Sequence, residues 1–204
     1  DGVVRRLPLI MRVGEETYPA MAVETIRVAT GNPSYQIKAG DAGIIAVRVP
    51  GYPIINTDQH ARIWLRWNNM FQSVSAAAKD YSTLKGKTVV VGITAEGLGS
   101  IIATPVGEQY DWALSASALQ TVINGTAPKR YDISLIIELA ISVLVGLIIV
   151  FLTRFTPYWV VGAMMALIYA GSVFGTYWLF SRHLILADVS WIIIVATIVG
   201  MHSI

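Results

Sequence analysis

The chain has 204 residues, of which 54% are hydrophobic and only 14% charged, with a formal net charge of +2. A soluble domain carries about one quarter charged residues, so part of this chain has a solvent other than water. The small net charge and the lack of any basic run argue against a nucleic-acid partner, and the absence of cysteine excludes thiol catalysis, disulfides and cysteine-based zinc sites.

The charge deficit is confined to one end. From Ile133 to Ile204 the ionised side chains are Glu138, Arg154, Arg182 and Asp188, whereas all the other Asp, Glu, Lys and Arg residues lie before Ile133, in a stretch long enough for an ordinary globular domain. The expected organisation is therefore a water-exposed α/β or α+β domain over residues 1–130 followed by an all-α region over 131–204. The opening Asp1-Gly2-Val3-Val4-Arg5-Arg6 has no apolar core of a signal peptide, and the chain ends on Met201-His202-Ser203-Ile204 without a polar tail. Both ends read as cut, which marks the chain as a fragment of something longer with an N-terminally truncated domain.

In chain order, Val3 to Met11 has extended character and ends at a turn on Gly14. Pro19 begins a helix through Met21, Val23, Ile26 and Val28 that Gly31 stops. Extended segments follow at Tyr35–Ile37, Ile44–Val49 and Ile63–Trp67. In the last of these Ile63, Leu65 and Trp67 share one face and Arg62, Trp64 and Arg66 the other, the alternation of a half-solvated strand. Ser73 caps a predicted helix through Ala78. After the turn at Lys85-Gly86-Lys87, Thr88 to Ile93 is a nearly continuous apolar run, which predicts a strand buried on both faces. It empties into Thr94-Ala95-Glu96-Gly97-Leu98-Gly99, and Ala113 to Ile123 then reads as a helix closed by Asn124-Gly125. Open α/β sheets place ligands at such strand-to-loop junctions. This loop lacks the Lys of a phosphate-binding Gly-Lys-Ser/Thr, however, and tight-turn geometry explains its glycines more simply.

Three long apolar stretches complete the chain, at 133–153, 158–180 and 184–204, each near the roughly 20 residues that cross a bilayer. Backbone groups in lipid have no water to bond, so these runs are expected as helices. Tyr131, Tyr158, Trp159, Tyr177, Trp178 and Trp191 lie towards their ends, as in an aromatic belt. The connectors Arg154-Phe155-Thr156-Pro157 and Ser181-Arg182-His183 are short, so the helices are antiparallel neighbours and the C-terminus lies across the membrane from the domain. Lys129, Arg130, Arg182 and His183 mark one side and Arg154 the other. Counted naively, that places the domain in the cytoplasm, but large domains cross largely regardless of charge. Gly171 with Gly175, and Gly162 with Ala166 and Ala170, have the spacing that lets helices approach closely in lipid. Packing among the three helices and a contact between two chains both fit. Glu138 and Asp188 lie about one turn inside their helices, where solvated interfacial carboxylates are the simpler reading and functional intramembrane carboxylates the sharper one.

Catalytic and metal-binding patterns are missing. His60, His183 and His202 are scattered, and there is no HExxH and no Gly-x-Ser-x-Gly elbow. Glu15, Glu16 and Asp111 are expected on the solvated surface. No catalytic, metal or cofactor-binding residue is assigned, and the ligand-binding residues are unknown.

Residues 84–125 contain Leu84-Lys85-Gly86-Lys87-Thr88, the Gly92-Ile93-Thr94-Ala95 and Gly97-Leu98 steps, Thr104-Pro105-Val106-Gly107 and a helix with Ala118-Leu119-Gln120-Thr121. This stretch resembles the closing half of the second CHASE family, the extracellular sensory domains of bacterial cyclases and histidine kinases. Asp1-Gly2-Val3-Val4-Arg5-Arg6 resembles the family's Asp-Gly-x-x-Arg-Arg strand, and Tyr18-Pro19-Ala20-Met21 opens a segment similar to its following helix. The family's Gly-Val-Glu-Ile-His-Ala-Asn helix start is replaced here by Tyr110 to Ser117, without the glutamate, histidine or asparagine. The family's N-terminal part and signal-anchor helix have no counterpart, so part of a core should be exposed. The resemblance implies a homodimeric receptor in the bacterial cytoplasmic (inner) membrane, with lipid and an unidentified extracytoplasmic ligand as partners. It also implies a cytoplasmic output domain, most often an adenylate or guanylate cyclase, alternatively a histidine kinase, a diguanylate cyclase or phosphodiesterase, or a Ser/Thr kinase. A membrane enzyme with its active site in a missing N-terminal part and a non-enzymatic scaffold are the competing readings.

Overall fold

A computed structural model describes residues 2–41, 43–67, 72–78, 80–95, 97–131 and 133–202, with residue 202 described by its backbone alone. Asp1, Glu96, Asp132 and the terminal Ser203-Ile204 of the sequence reading lie outside the described residues, as does the His202 side chain. The chain divides into two compact units, Asp1–Ala127 and Pro128–Ile204.

The first unit is α+β, built from small antiparallel sheets. β1 (Arg6–Pro8) pairs with β7 (Arg62–Trp64), β2 (Ile10–Val13) with β3 (Glu16–Pro19) and β8 (Ile101–Thr104) with β9 (Gly107–Tyr110), while β4 (Gln36–Gly40), β5 (Gly43–Arg48) and β6 (Ile55–Asn56) form a three-stranded sheet in that order. Among the described residues every pairing between strands is antiparallel, so the parallel α/β arrangement with a ligand at a strand-to-loop junction does not form.

Two helices close the core. α1 (Met21–Ala29) buries Ala22, Val23 and Ile26, the inward stripe expected of its periodicity, and stops before Gly31 at φ +65°. α2 (Asp111–Ile123) buries Ala118, Leu119 and Val122 against the same cluster, which also takes Leu9, Val47, Ile55 and Ile63 from the strands. Ile63 and Leu65 face inward while Arg66 is exposed, in agreement with the predicted alternation.

Two expectations fail. Ser73 to Ala78 contains a turn and no helix, and its apolar content of short alanines offers little surface to hold a helix against a core. Thr88–Ile93 forms no strand: Val89, Val91 and Ile93 are exposed, Val91 at 88%. A strand buried on both faces needs partners at its edges and cover on each face, and among the described residues none pairs with it. Its inner side is nonetheless seated, since Val90 packs on the core and Gly92 lies under the Trp112 ring. The glycine-rich loop behaves as a turn, with the amides of Leu98 and Gly99 both donating to the Ala95 carbonyl and Gly97 at φ +79°.

The second unit holds α3 (Ser134–Thr153), α4 (Tyr158–His183) and α5 (Ser190–His202). α3 and α4 are long and apolar enough to cross a membrane. α5 starts six residues later than the apolar stretch suggests, because Leu184–Val189 is an irregular connector; its 13 described residues span about 20 Å against a hydrocarbon core of roughly 30 Å. α3 buries Glu138, Ser142, Gly146 and Ile149, a stripe one helical turn apart that packs on α5, where a Cβ on Gly146 would lie 2.9 Å from Val195. By contrast, nothing lies within 4 Å of the Cβ positions of Gly162, Gly171 or Gly175. The expectation that these glycines pack among the three helices is therefore not met. The close helix contact is made by Gly146 instead, and α4 meets α5 through Met165 against Gly200 and a Tyr169–Thr197 hydroxyl bond of 2.8 Å.

These environments separate two glycines that look alike in sequence. A Cβ at Gly92 would lie 2.2 Å from the Trp112 side chain, so Gly92→Ala should destabilise the first unit by about 1–3 kcal/mol. Gly162→Ala, on an open helix face, should be neutral or slightly stabilising. Thermal denaturation of the two variants in the same detergent checks the contrast.

Candidate functional site

In the first unit a polar cluster surrounds Asp58, in the turn between β6 and β7. Its Oδ1 accepts the amides of His60 (3.0 Å) and Arg62 (2.9 Å), and its Oδ2 accepts Arg62 Nε (2.9 Å) and Arg6 Nη1 (3.4 Å). An aspartate that bonds amides two and four residues ahead fixes a tight turn, and here it holds Ala61 at φ +57°, an unfavourable conformation for a residue with a Cβ. The Arg6 guanidinium also lies 4.0 Å from the Trp64 ring centroid, a cation–π contact. The Arg-Arg strand of the opening motif thus has a structural explanation: Arg6 locks β1 onto β7. Burial opposes ionisation of Asp58, but the amide and guanidinium donors of Arg62 and the His60 amide outweigh it and hold the carboxyl below its usual range.

A shallow, open cleft of about 850 Å³ lies between the β2–β3 hairpin and α1, lined by Tyr18, Pro19, Glu24, Arg27 and Tyr35 among others. The Arg27 guanidinium is already engaged, by Nε and Nη2 to the Glu24 carboxylate and by Nη1 to the Asn32 carbonyl at 2.9 Å. The cleft therefore has no uncommitted charge with which to select a ligand.

The second unit contains a site that joins its elements through one carboxylate. The strap that leads into α3 lies against the α4–α5 connector, with the Lys129 amide donating to the Leu184 carbonyl (2.7 Å) and the Leu186 amide to the Lys129 carbonyl (2.8 Å). Leu184 closes α4 in the left-handed conformation, φ 55°, which turns the chain sharply and frees its carbonyl for the strap. Beside this bridge Glu138, in the first turns of α3, is 7% exposed. Its Oε2 accepts Arg130 Nη2 (3.3 Å) and its Oε1 accepts the Asp188 amide (2.8 Å). Asp188 in turn accepts the Ser190 amide (2.9 Å) at the start of α5, satisfying a donor that the helix leaves open. Strap, α3, connector and α5 are thereby tied together.

Neither carboxylate is the loosely solvated group that position alone suggests. Glu138 is buried and paired, and Asp188 caps a helix. The partner missing from the sequence reading is Arg130; the signal available for it was a cation shortly before the only acidic residue of α3, since a carboxylate at that depth needs a partner. His60 lies in the Asp58 turn and His183 at the end of α4, in different units. Among the described residues no group of three His, Cys, Asp or Glu is placed to hold a metal.

The chain thus combines a globular α+β unit with a helical unit in which α3 and α4 are long and apolar enough to cross a membrane. The CHASE2 domain model matches residues 1–153, and the chain belongs to the CHASE2 family. CHASE2 domains are extracytoplasmic sensor domains of transmembrane signalling receptors. The match includes α3 and therefore the strap and Glu138, whereas the connector that they grip lies beyond it. No curated protein and no solved structure matches the chain.

Two outcomes follow. The Asp58 carboxyl is depressed in the folded state, so its contribution to stability is full above its unfolded value of about 4 and is lost as the pH falls through the lower folded value. Asp58→Asn should therefore lower the melting temperature at pH 7, with the gap to the parent chain closing in acid. In the second unit, Glu138→Leu leaves Arg130 and the Asp188 amide without their acceptor and should destabilise the helices by about 1–3 kcal/mol. Glu138→Gln keeps the amide's acceptor and should lose less. Helix melting followed by circular dichroism in detergent orders the two.

Proposed function

We propose that this chain is the sensory and membrane-anchoring region of a bacterial transmembrane signalling receptor. Its first unit lies outside the cytoplasmic (inner) membrane, and α3, α4 and α5 form a three-crossing anchor. The chain that follows α5 carries a cytoplasmic output domain, with an adenylate or guanylate cyclase favoured over a histidine kinase, a cyclic-dinucleotide enzyme or a Ser/Thr kinase. Family membership supports the sensor role. The observation that carries the transfer of a signal is the strap: any displacement at Pro128 acts on Lys129 and Arg130, which are bonded to the connector and to Glu138. A change in the domain then biases the positions of α3 and α5, which is the differential contact that a two-state output requires.

The receptor works as a homodimer, and the open face of α4 at Gly171 and Gly175, one helical turn apart, supports a chain-to-chain contact there, since among the described residues nothing lies within 4 Å of a Cβ built at either glycine. The ligand is an extracytoplasmic molecule whose binding residues are not assigned.

The topology is directly testable because the chain has no cysteine. Asn124→Cys in the first unit and Arg154→Cys between α3 and α4 are both exposed positions. In intact bacterial cells a membrane-impermeant maleimide should label the first, and label the second only after permeabilisation. The reverse pattern would place the domain in the cytoplasm and remove the sensor reading.

A further inference from the structure

Lys129 and the Arg182–His183 pair are far apart in sequence, yet the fold brings them to one end of the helical unit. The two backbone bonds between Lys129 and the Leu184–Leu186 connector set Lys129 directly beside the residue that follows His183. Lys129, Arg182 and His183 are all exposed. Arg130, also at this end, is committed to Glu138. Of the carboxylates nearby among the described residues, Glu138 is buried in that ion pair and Asp188 caps α5; Asp132 lies outside the described residues.

Among the described residues the patch therefore offers Lys129 and Arg182 without a matching free carboxylate, immediately next to apolar helix surface. Trp178 lies one turn before Arg182 on the same face of α4, and its ring meets the His183 imidazole edge-on with centroids 5.3 Å apart. Tyr177 and Ile136 are 68% and 66% exposed and continue the apolar surface away from the cations on α4 and α3. The terminal turn of α4 favours the cation at Arg182 through the helix dipole. Lys129 belongs to no helix, and its presence here comes from the strap.

We infer that Lys129, Arg182 and His183 form a binding site for the phosphate headgroup of an anionic phospholipid of the bilayer, with Trp178 and the outward faces of α3 and α4 receiving its acyl chains. A phosphodiester head supplies a negative charge to match Lys129 and Arg182, and the tails match the surface beside it. This also gives a reason for cations on the side of the helices that the charge rule would leave poor in them. A lipid held on Lys129 and Arg182 bridges the strap to the end of α4, the helix that the Glu138 network leaves out. The inference rests on the reading of α3 and α4 as lipid-embedded.

The test is retention of phospholipid by the whole chain, extracted from vesicles of equal phosphatidylglycerol and phosphatidylcholine and measured by native mass spectrometry. The parent chain should retain phosphatidylglycerol in preference, and each of Lys129→Gln and Arg182→Gln should lower that preference about five-fold. Arg154→Gln, at the other end of the helices, should leave it unchanged, and circular dichroism verifies that the variants are folded. Equal retention of the two lipids, or an unchanged preference in both Lys129→Gln and Arg182→Gln, overturns the proposal. Loss of the preference in excess inorganic phosphate would identify a site for a soluble anion and overturn it as well. Failure of the chain to enter vesicles at all would instead sink the membrane reading on which the proposal rests.

Discussion

In hydrocarbon a peptide group has no partner except another peptide group or a side chain brought to it. For α3 and α4, long and apolar enough to cross a membrane, that constraint would be sharpest at the ends, where the first amides and last carbonyls of a helix are left open. In this protein those ends are not left to solvent. The carbonyl of Leu184 at the close of α4, the amide of Leu186 and both backbone groups of Lys129 satisfy one another, while the amide of Asp188 is taken by Glu138 and that of Ser190 by Asp188. The strap at the start of the second unit is thus a run of bonded groups that touches α3, the α4–α5 connector and the start of α5.

How it is shared depends on which helices are packed. Along α3, Glu138, Ser142 and Gly146 are polar or small and face α5 closely. Apolar side chains gain nothing by leaving lipid for another apolar surface, so close backbone approach and polar bonds are what hold helices together there. α4 has few such features directed inward. Val161 is its one fully covered side chain among the described residues, and its glycines face open space. α3 and α5 are consequently a closely packed pair and α4 a looser neighbour.

Much of the architecture was legible in the sequence because local signals and burial agreed. The stripe Ala22, Val23 and Ile26 with Gly31 behind it gave α1, the Asn124-Gly125 stop gave the end of α2, and the uninterrupted apolar runs gave α3 and α4 to within a few residues. The failures occur where an element depends on something outside itself. Thr88–Ile93 has the composition of a buried strand, but strand formation is a property of neighbours, and none pairs with it among the described residues. The start of α5 was missed because hydropathy does not see the left-handed turn at Leu184 or the bonds that keep Leu184–Val189 irregular. Glycine spacing drew attention to Gly171 and Gly175, although Gly146, without a glycine partner at that spacing, makes the tight approach. The Glu138–Arg130 pair could have been suspected from the rule that buried carboxylates need partners; its link to Asp188 spans 50 residues and carries no local signature.

The account stands or falls on the solvent of the helices. Spin labels placed singly at Ile136, Val143, Leu147 and Phe151 of α3, all outward-facing and exposed, report this directly when the chain is reconstituted in lipid vesicles and relaxation by oxygen is compared with relaxation by a water-soluble nickel chelate. Lipid as the solvent predicts high oxygen and low nickel accessibility at all four sites, with oxygen rising towards the middle of the helix. Nickel accessibility as high as at an exposed position of the first unit such as Asn124 would show that α3 is in water and contradict the account.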